Sequence, residues 1–263
     1  MRRLLLFVPL LLWSACDSEA PGSSLAIESV AFGEGTRWTY AYTLEQYGTR
    51  AGETRPDSLE SVERDTVIVA VLNDDVSLGD LTGLIQVETT LVAGRVEVAW
   101  YRASDEALER VAYNPSLGGE REMSAVVGRR AHGFGAVLQR GWGECGQTAD
   151  GMRYCLLDRP YRLYEYPLEV GQSWRVHDYA DESSTLRTVA EASVITTPAG
   201  TFDTVTIRDE DNGLGILVET RVAREGRVAV GYAIEQVRTS EAGEELGLVR
   251  FEVREELIRL ERP

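Results

Sequence analysis

The sequence contains no lysine, so all 27 of its basic side chains are arginines. It has only two histidines, His132 and His177, and three cysteines among 263 residues. The absence of lysine excludes a lysine nucleophile, a Schiff base with a carbonyl compound and a P-loop lysine. Two histidines also exclude a metal site of three histidines. These absences remove several common kinds of catalytic centre, and no cofactor is predicted.

Basic charge is scarce relative to acidic charge. The chain has 43 acidic side chains, a formal net charge of −16 at pH 7 and a pI near 4.7. The phosphate backbone of a nucleic acid would repel such a chain, so we predict no nucleic-acid partner. A charge of this size also keeps copies of the chain apart, which favours a monomer.

The apolar run at the amino terminus is too short to span a membrane. It extends from Leu4 to Trp13, follows Arg2 and Arg3, and is followed by small residues, whereas a spanning helix needs about 20 residues. A charged start, a short apolar run and small residues are typical of a secretion signal. We therefore predict a signal peptide over residues 1–15.

Cys16 makes this interpretation more specific. The segment Ser14-Ala15-Cys16 resembles the lipobox of bacterial lipoproteins, although Trp13 stands where that family usually has leucine. The resemblance implies that Cys16 is lipidated and becomes the mature amino terminus, with residues 16–29 as a tether. It places the chain in the bacterial cell envelope, anchored to a membrane, with the periplasmic face of the outer membrane favoured. An ordinary signal peptide is the alternative, and Asp17 resembles an inner-membrane retention signal of enteric bacteria.

Cys145 and Cys155 remain as a pair once Cys16 is assigned to the lipid. They flank an Asp150-Gly151 turn signal. In an oxidising envelope, a disulfide across a hairpin is the preferred interpretation. The alternative is a redox or metal pair, although the spacing is too wide for a C-x-x-C motif.

The rest of the chain predicts an all-β fold. Nearly every apolar run alternates with a period of two and is rich in Val, Ile, Thr and Tyr, as half-buried strands are. The last run does not alternate cleanly, so a helix over Glu252–Leu260 is the alternative there. The predicted strands are Arg37–Leu44, Val62–Leu72, Leu84–Val92, Arg95–Arg102, Leu108–Tyr113, Arg162–Tyr166, Trp174–Tyr179, Thr185–Thr196, Phe202–Arg208, Ile216–Arg224, Arg227–Val237 and Leu248–Leu260.

The strands fall into two β halves, residues 30–113 and 161–263. A glycine-rich stretch over residues 114–160, which contains the cysteine pair, predicts either a long connection or a functional loop. Both halves begin with Gly-x-x-Trp, at Gly35 and at Gly171. This repeated pattern suggests that the two halves arose by duplication. The alternative is chance, because a glycine turn before a strand that begins with an aromatic residue is common in β proteins.

Aromatic side chains are the first candidates for a binding site. Trp38, Trp100, Trp142 and Trp174 could line a concave sheet that holds an apolar or sugar ligand. The alternative is that they are core residues. Trp38, Tyr40 and Tyr42 share one face of a strand, as core residues would.

The remaining candidates for chemistry are weaker. His132 could serve as the base of a hydrolase built on the loop, but no G-x-S-x-G motif accompanies it. His177 and Asp178 are adjacent on a predicted strand and point to opposite faces. Asp209 and Asp211 begin a partial calcium-loop pattern, for which a solvated hairpin turn is the alternative.

A further resemblance rests on Gly35-x-x-Trp38, Gly171-x-x-Trp174, the run Thr197-Pro198-Ala199-Gly200-Thr201-Phe202-Asp203 and the closing Gly247-Leu248-Val249. The pattern is similar to that of uncharacterised bacterial envelope lipoproteins. It implies an antiparallel, strongly curved sheet or incomplete barrel. Such sheets also resemble periplasmic lipoprotein-carrier proteins, at the level of the fold only.

We therefore expect a non-catalytic, membrane-anchored envelope lipoprotein. Its predicted partners are the membrane, through the lipid, and a lipid, a glycan or an envelope protein. The function would be to bind an apolar or envelope-derived ligand or to support an envelope assembly. A hydrolase using His132 and a purely structural interaction protein are the alternatives; the latter predicts a sheet interior filled by side chains.

Overall fold

The computed structural model describes residues 25–49, 55–91, 94–114, 142–177, 184–210, 217–239 and 245–263. Within these ranges the chain forms thirteen strands of one antiparallel sheet and no helix. The all-β prediction is therefore confirmed. The strands are β1 Arg37–Gly48, β2 Ser58–Leu78, β3 Leu81–Thr90, β4 Val96–Ala103, β5 Ala107–Tyr113, β6 Trp142–Gln147, β7 Arg153–Glu165, β8 Ser173–His177, β9 Ser184–Thr197, β10 Gly200–Glu210, β11 Leu217–Ala223, β12 Gly226–Thr239 and β13 Glu245–Glu261.

The first and last strands lie side by side in the middle of the sheet. The order across the sheet is β6-β7-β5-β4-β3-β2-β1-β13-β12-β11-β10-β9-β8. Strands β2 to β7 extend to one side of this central pair and β12 to β8 to the other, and we call these two sides the first and second wings. The sheet is not closed into a barrel. The first wing is formed by strands between residues 58 and 165, and the second wing by strands between residues 173 and 239.

A β-bulge explains the irregular alternation of the last strand. Phe251, Val253 and Leu257 are buried at alternate positions, as in a strand with one face in the core. In the ladder between β1 and β13, Thr39 pairs with Arg259 and Tyr40 with Leu257, so one residue of β13 is skipped. This bulge interrupts the period of two. The prediction of a strand, rather than a helix, is confirmed.

The stretch predicted as a loop over residues 114–160 contains regular structure. Residues 142–147 and 153–165 form β6 and β7, and Cys145 and Cys155 occupy paired positions joined by a disulfide. Strand β7 carries Pro160 and pairs with β5 through two register shifts. These irregularities hide its alternation in the sequence. Residues 115–141, with His132, lie outside the described residues.

The sheet buries apolar side chains on both faces. The larger core fills the inner, concave side and includes Trp38, Tyr40 and Trp174. A smaller core lies on the opposite face of the first wing. It is formed by Leu78, Leu84, Val98, Trp100, Val111, Ala112 and Tyr154.

The residues before β1 pack across one end of the inner core. Ile27 and Leu168 exchange main-chain hydrogen bonds of 3.2 and 3.0 Å, and the amide of Val30 donates to the hydroxyl of Tyr166 at 3.2 Å. The amide of Ala31 then donates to the carbonyl of Arg224, in the turn between β11 and β12, at 3.0 Å. Because Ile27 and Val30 are buried, the packed body begins inside the stretch predicted as a tether. We call this the closed end of the sheet.

Candidate functional site

The inner face is the natural candidate for a binding site, because curvature turns it into a concavity. At its centre it carries charged and phenolic side chains together with the apolar ones. We call the following set the interior charge network: Arg110, Arg187, Arg227, Glu97, Asp209, Glu255, Tyr40, Tyr161 and Tyr164.

Arg187 connects the two wings. From β9 its Nη2 lies 2.8 Å from Oδ2 of Asp209 on β10, and its Nε donates to both oxygens of that carboxylate at 3.0 and 3.1 Å. Its Nη1 donates to the main-chain carbonyl of Leu163 on β7 at 2.9 Å, and its Nη2 donates to the hydroxyl of Tyr161 at 3.1 Å. The guanidinium group is thus satisfied by charge-assisted bonds to both sides of the open sheet. Burial lowers the pKa of Arg187, but the charge of Asp209, its hydrogen bonds and the neighbouring phenols together raise the pKa above its ordinary range.

A second buried ion pair joins β12 to β13. Arg227 donates from Nη2 to Oε2 of Glu255 at 2.5 Å, and both side chains are at least nine-tenths buried. Its guanidinium carbon lies 4.6 Å from the centre of the Tyr40 ring, and the Tyr40 hydroxyl donates to the Arg227 carbonyl at 3.0 Å. This arrangement combines an ion pair with a cation–π contact away from water.

Tyr161 contacts two arginines of the network. Arg110 and Arg187 lie 5.2 and 5.4 Å from the centre of the Tyr161 ring. Each carboxylate of the network is paired: Asp209 with Arg187, Glu255 with Arg227, and Glu97 with Arg95 at 3.2 Å. These groups therefore satisfy one another within the fold.

The buried phenols of the inner face are held in the neutral form. Burial raises the pKa of Tyr101 to about 12, and the pKa of Tyr40 is raised further for the same reason. Burial also raises the pKa of Tyr42 to about 12, with added repulsion from Glu63, Glu255 and Asp65. These shifts keep the hydroxyls protonated at neutral pH, which favours hydrogen bonding over proton transfer.

The predicted tryptophans do not meet in one place. Trp38 and Trp174 belong to the inner core, where Trp38 is only 2% exposed and donates from Nε1 to the carbonyl of Glu225 at 2.7 Å. Trp100 lies in the core on the opposite face, with its ring 6.1 Å from that of Tyr154. Trp142 is in β6, and its side chain lies outside the described residues. A ligand site lined by all four therefore has no basis in these positions.

Asp209, one of the two predicted calcium ligands, is paired with an arginine instead. Both oxygens of Asp209 accept hydrogen bonds from Arg187, which already supplies the positive charge that a metal ion would bring. Asp211 lies outside the described residues. Within the described part of the chain, no group of three or more His, Cys, Asp and Glu side chains is arranged to hold a metal ion.

Sequence reasoning missed the interior arginines. The available signal was their position in the alternation: Arg187 stands two residues from Val189, and both are buried on the inner face. An arginine at a core-facing position of a strand requires a buried partner. The sequence pattern assigned its partner, Asp209, to a calcium loop or a hairpin turn instead.

The remaining residues singled out in the sequence lie wholly or partly outside the described residues. The main chain of His177 closes β8, but its side chain lies outside the described residues, as do Asp178, His132 and Cys16. No helix among the described residues has the length and apolar character needed to cross a membrane.

Two distantly similar proteins are among the solved structures that match the chain. The chain is similar to a Bacteroides fragilis protein described as exported and as having a YmcC-like fold. The two share 12% identity and a TM-score of 0.38 over 90% of this chain and 100% of that one. It is also similar to a Parabacteroides distasonis protein described as a lipoprotein, with 12% identity and a TM-score of 0.33 over 88% and 97% of the two chains. No protein-family model and no curated protein matches the chain.

Proposed function

We propose that this chain is a non-catalytic lipoprotein of the bacterial cell envelope that supports an envelope assembly through contacts on its surface. The observation that carries the proposal is the occupation of the inner face by its own buried side chains. Trp38, Tyr40 and Tyr101 are each at most 2% exposed. A carrier of lipids would instead keep apolar side chains free for its ligand.

The interior charge network supports the same conclusion. Arg187 and Arg227 are buried with Asp209 and Glu255 as hydrogen-bonded partners. Inserting an acyl chain among these groups would break charge-assisted bonds, and leaving such a charge buried without its partner costs about 3–5 kcal/mol. The cost opposes an apolar ligand at the centre of the sheet.

The packed amino-terminal segment supports anchoring at the closed end. Ile27 is fixed to Leu168 by two main-chain hydrogen bonds. With Cys16 lipidated, residues 17–26 would separate the lipid from this contact, which corresponds to roughly 18 Å for a flexible segment. The closed end then faces the membrane, and the proposed address is the periplasmic face of the outer membrane.

Native mass spectrometry of the full protein purified from its own envelope tests this proposal. We expect an acylated Cys16 and no retained small molecule. A lipid or glycan that remains bound after purification, and is lost on unfolding, would overturn the assembly role in favour of a carrier. An unmodified amino terminus would overturn the anchor.

A matched variant separates anchoring from assembly. Cys16→Ser removes the lipidation site and leaves the folded body unchanged. We expect the variant to leave the membrane fraction but to retain the same cross-linked neighbours when mixed with solubilised envelopes. Loss of every neighbour without loss of folding would show that membrane attachment, rather than the surface of the body, selects the partners.

A further inference from the structure

The strand β9 has one edge that the rest of the sheet leaves open. Its ladder with β8 ends at Thr188, and Val189 adds two main-chain hydrogen bonds, of 2.8 and 2.9 Å, with the turn that precedes β8. A bulge at Ala190 follows, and from residue 191 to 197 the ladder with β10 is regular. Within the described part of the chain, no strand pairs with residues 191–197 on the other side. We call this stretch the open edge of β9.

The main-chain groups of alternate residues point out of the open edge. The carbonyl of Ser193 accepts a 2.9 Å hydrogen bond from the hydroxyl of Thr204, so it faces β10. Successive residues of a strand direct their main-chain groups to opposite sides. The N–H and C=O groups of Ala192, Val194 and Thr196 therefore face away from β10, where an added strand would bond to them.

One face of the β9–β10 hairpin is packed at this edge, and the other is open to solvent. Phe202 belongs to the inner core, and Ile195, directly opposite it in the ladder, packs against that core. Val194 and Asp203 are opposite each other on the other face, and both are exposed, Val194 to 64%. The packed face holds the strand in place, so the open edge is both accessible and already extended.

The open edge lacks the features that protect the strand edges of natural proteins from pairing. Charged side chains, proline and short strands are the usual protection. Between residues 191 and 197 the only charged side chain is Glu191, and there is no proline. By contrast, residues 58–67 of β2, which extend beyond the ladder with β3, carry four charged side chains. The outermost strands β6 and β8 are only six and five residues long.

The charges beside the open edge select the kind of partner. Glu191 and Asp203 are exposed, and neither has a cationic partner among the residues that the structure describes. No arginine or histidine occurs between residues 188 and 207. A basic segment is therefore attracted to this edge, whereas the net charge of −16 opposes a second copy of the chain.

We propose that the open edge of β9 docks an extended, basic segment of a partner protein, which adds to the sheet as a further strand. The main-chain groups of Ala192, Val194 and Thr196 bond to the main chain of that segment. The Val194 side chain contacts an apolar side chain of the partner, and Asp203 attracts a basic one. Main-chain bonds supply affinity in this mode of recognition, and side chains supply specificity. The inference rests on the proposed assembly role, because it names the surface that makes the assembly.

The test mixes the full chain, in a neutral detergent, with either of two synthetic nonapeptides at constant ionic strength. One peptide alternates valine with arginine, and the other alternates valine with glutamate. Amide hydrogen exchange, resolved to single residues, reports on the open edge. We expect the basic peptide to slow exchange at Ala192, Val194 and Thr196 by about 10-fold or more, in a saturable way. The acidic peptide should leave these amides unchanged.

A proline variant tests the main-chain bonds. Val194→Pro removes an amide that points out of the open edge, and it leaves the ladder with β10 intact because proline is tolerated at strand edges. It should weaken binding of the basic peptide about 10-fold through the lost hydrogen bond. Val194→Thr is the matched control, since it keeps the amide and the shape of the side chain, and it should bind the peptide within about 2-fold of the natural chain.

A charge variant tests the preference for a basic segment without altering the main chain. Asp203→Asn should weaken binding by about 3-fold to 5-fold, as expected for an exposed ion pair. Asp80→Asn makes the same change of charge in the exposed turn between β2 and β3. It should leave binding unchanged.

Several outcomes would overturn the proposal. No slowing of exchange at the open edge, or slowing confined to other strands, would rule out this docking surface. Equal effects of the two peptides, or equal losses in Asp203→Asn and Asp80→Asn, would rule out the preference for a basic segment. Slow exchange at the open edge without peptide, which becomes faster on dilution, would identify a second copy as the occupant.

Failure of this edge is distinguishable from failure of the assembly role. If the peptides do not bind but Cys16→Ser retains its cross-linked neighbours, the assembly uses another surface. If native mass spectrometry finds a retained lipid or glycan, the assembly role itself is overturned.

Discussion

Arg187 on β9 donates a 2.9 Å hydrogen bond to the main-chain carbonyl of Leu163 on β7. These two strands share no ladder: β9 lies next to one edge of the sheet and β7 next to the other. A side chain therefore connects two margins that main-chain pairing does not close. The ion pair with Asp209 fixes the guanidinium group in the position that makes this contact possible.

Replacing Arg187 should weaken the whole fold. Arg187→Met leaves Asp209 half-buried without its partner, and breaking a buried pair in this way costs about 3–5 kcal/mol. The matched control is Arg208→Met, because Arg208 pairs with Glu219 at 2.9 Å nearer the surface and an exposed pair contributes about 1 kcal/mol or less. Urea unfolding monitored by tryptophan fluorescence measures both changes.

A double variant checks the reason for this loss. Arg187→Met combined with Asp209→Leu removes both charges, so it should recover a large part of the stability lost by Arg187→Met alone. If the double variant is as unstable as the single one, the contact with Leu163 rather than the unpaired carboxylate dominates. If Arg187→Met costs no more than Arg208→Met, Arg187 does not fasten the margins of the sheet.

The sequence was sufficient to predict most of the strands but not how they pair. Alternation locates β1, β9 and β12 because each buries one face. The pairing of β1 with β13, at opposite ends of the chain, depends on contacts that no local pattern reports. The strand β6 was missed because it is short and glycine-rich, with Gly143 and Gly146 among its six residues.

The candidate site was predictable only in part. Aromatic residues on one face of β1 were expected either to bind a ligand or to pack, and Trp38 packs. Alternation shows which side chains share a face of a strand, but not which face another segment covers. It therefore could not predict that Trp100 packs on the face opposite the larger core. Arg187 and Leu163 come from β9 and β7, near opposite edges of the sheet, so no local pattern could predict their contact.

The disulfide should stabilise the edge of the first wing. Cys145 and Cys155 are ten positions apart, and closing a loop of this length contributes about 2–3 kcal/mol by restricting the unfolded chain. Replacing both cysteines by serine should lower the free energy of unfolding by that amount, measured in urea. Dithiothreitol should then shift the unfolding midpoint of the natural protein but not that of the variant. An equal effect of the reductant on both would show that another reaction is responsible.

Glu97 and Glu109 should give opposite dependences on pH. Burial raises the pKa of Glu97, although Arg95 lies 3.2 Å away. Its ionised form is therefore unfavourable in the folded protein at pH 7, and the penalty disappears below the unfolded-state value of about 4.3. Glu97→Gln should raise the urea midpoint at pH 7, with a gain that shrinks as the pH falls through the folded-state pKa.

For Glu109 the dependence of stability on pH is opposite to that of Glu97. Burial raises its pKa, but hydrogen bonds from Arg102 and Arg162 outweigh burial, so the net pKa is lowered. This stabilisation is present above the unfolded-state value of about 4.3 and is lost as the pH falls through the folded-state pKa. Glu109→Gln should therefore lower the midpoint at pH 7 and have no effect once the pH is below the folded-state pKa. Parallel curves for the two variants would contradict this assignment of the two environments.

Gly226 should tolerate no side chain, because it combines backbone and packing constraints. Its φ is +120°, and a Cβ atom placed on it would lie 2.8 Å from Nε1 of Trp38. That nitrogen already donates to the carbonyl of Glu225. The backbone conformation costs about 1–3 kcal/mol for any residue other than glycine, and overpacking of the core adds about 1–3 kcal/mol. Gly226→Ala should therefore lower the free energy of unfolding by about 3 kcal/mol.

Gly94 provides the control for the packing contribution. Its φ is +72°, but nothing lies within 4 Å of a Cβ atom at that position. Gly94→Ala should cost only the 1–2 kcal/mol or so of a left-handed conformation. Urea unfolding measures both variants, and Gly226→Ala alone should alter the fluorescence of the folded state, because Trp38 must move. Equal costs and an unchanged spectrum would mean that the added Cβ atom does not displace the Trp38 ring, which contradicts the close packing of Gly226 against it.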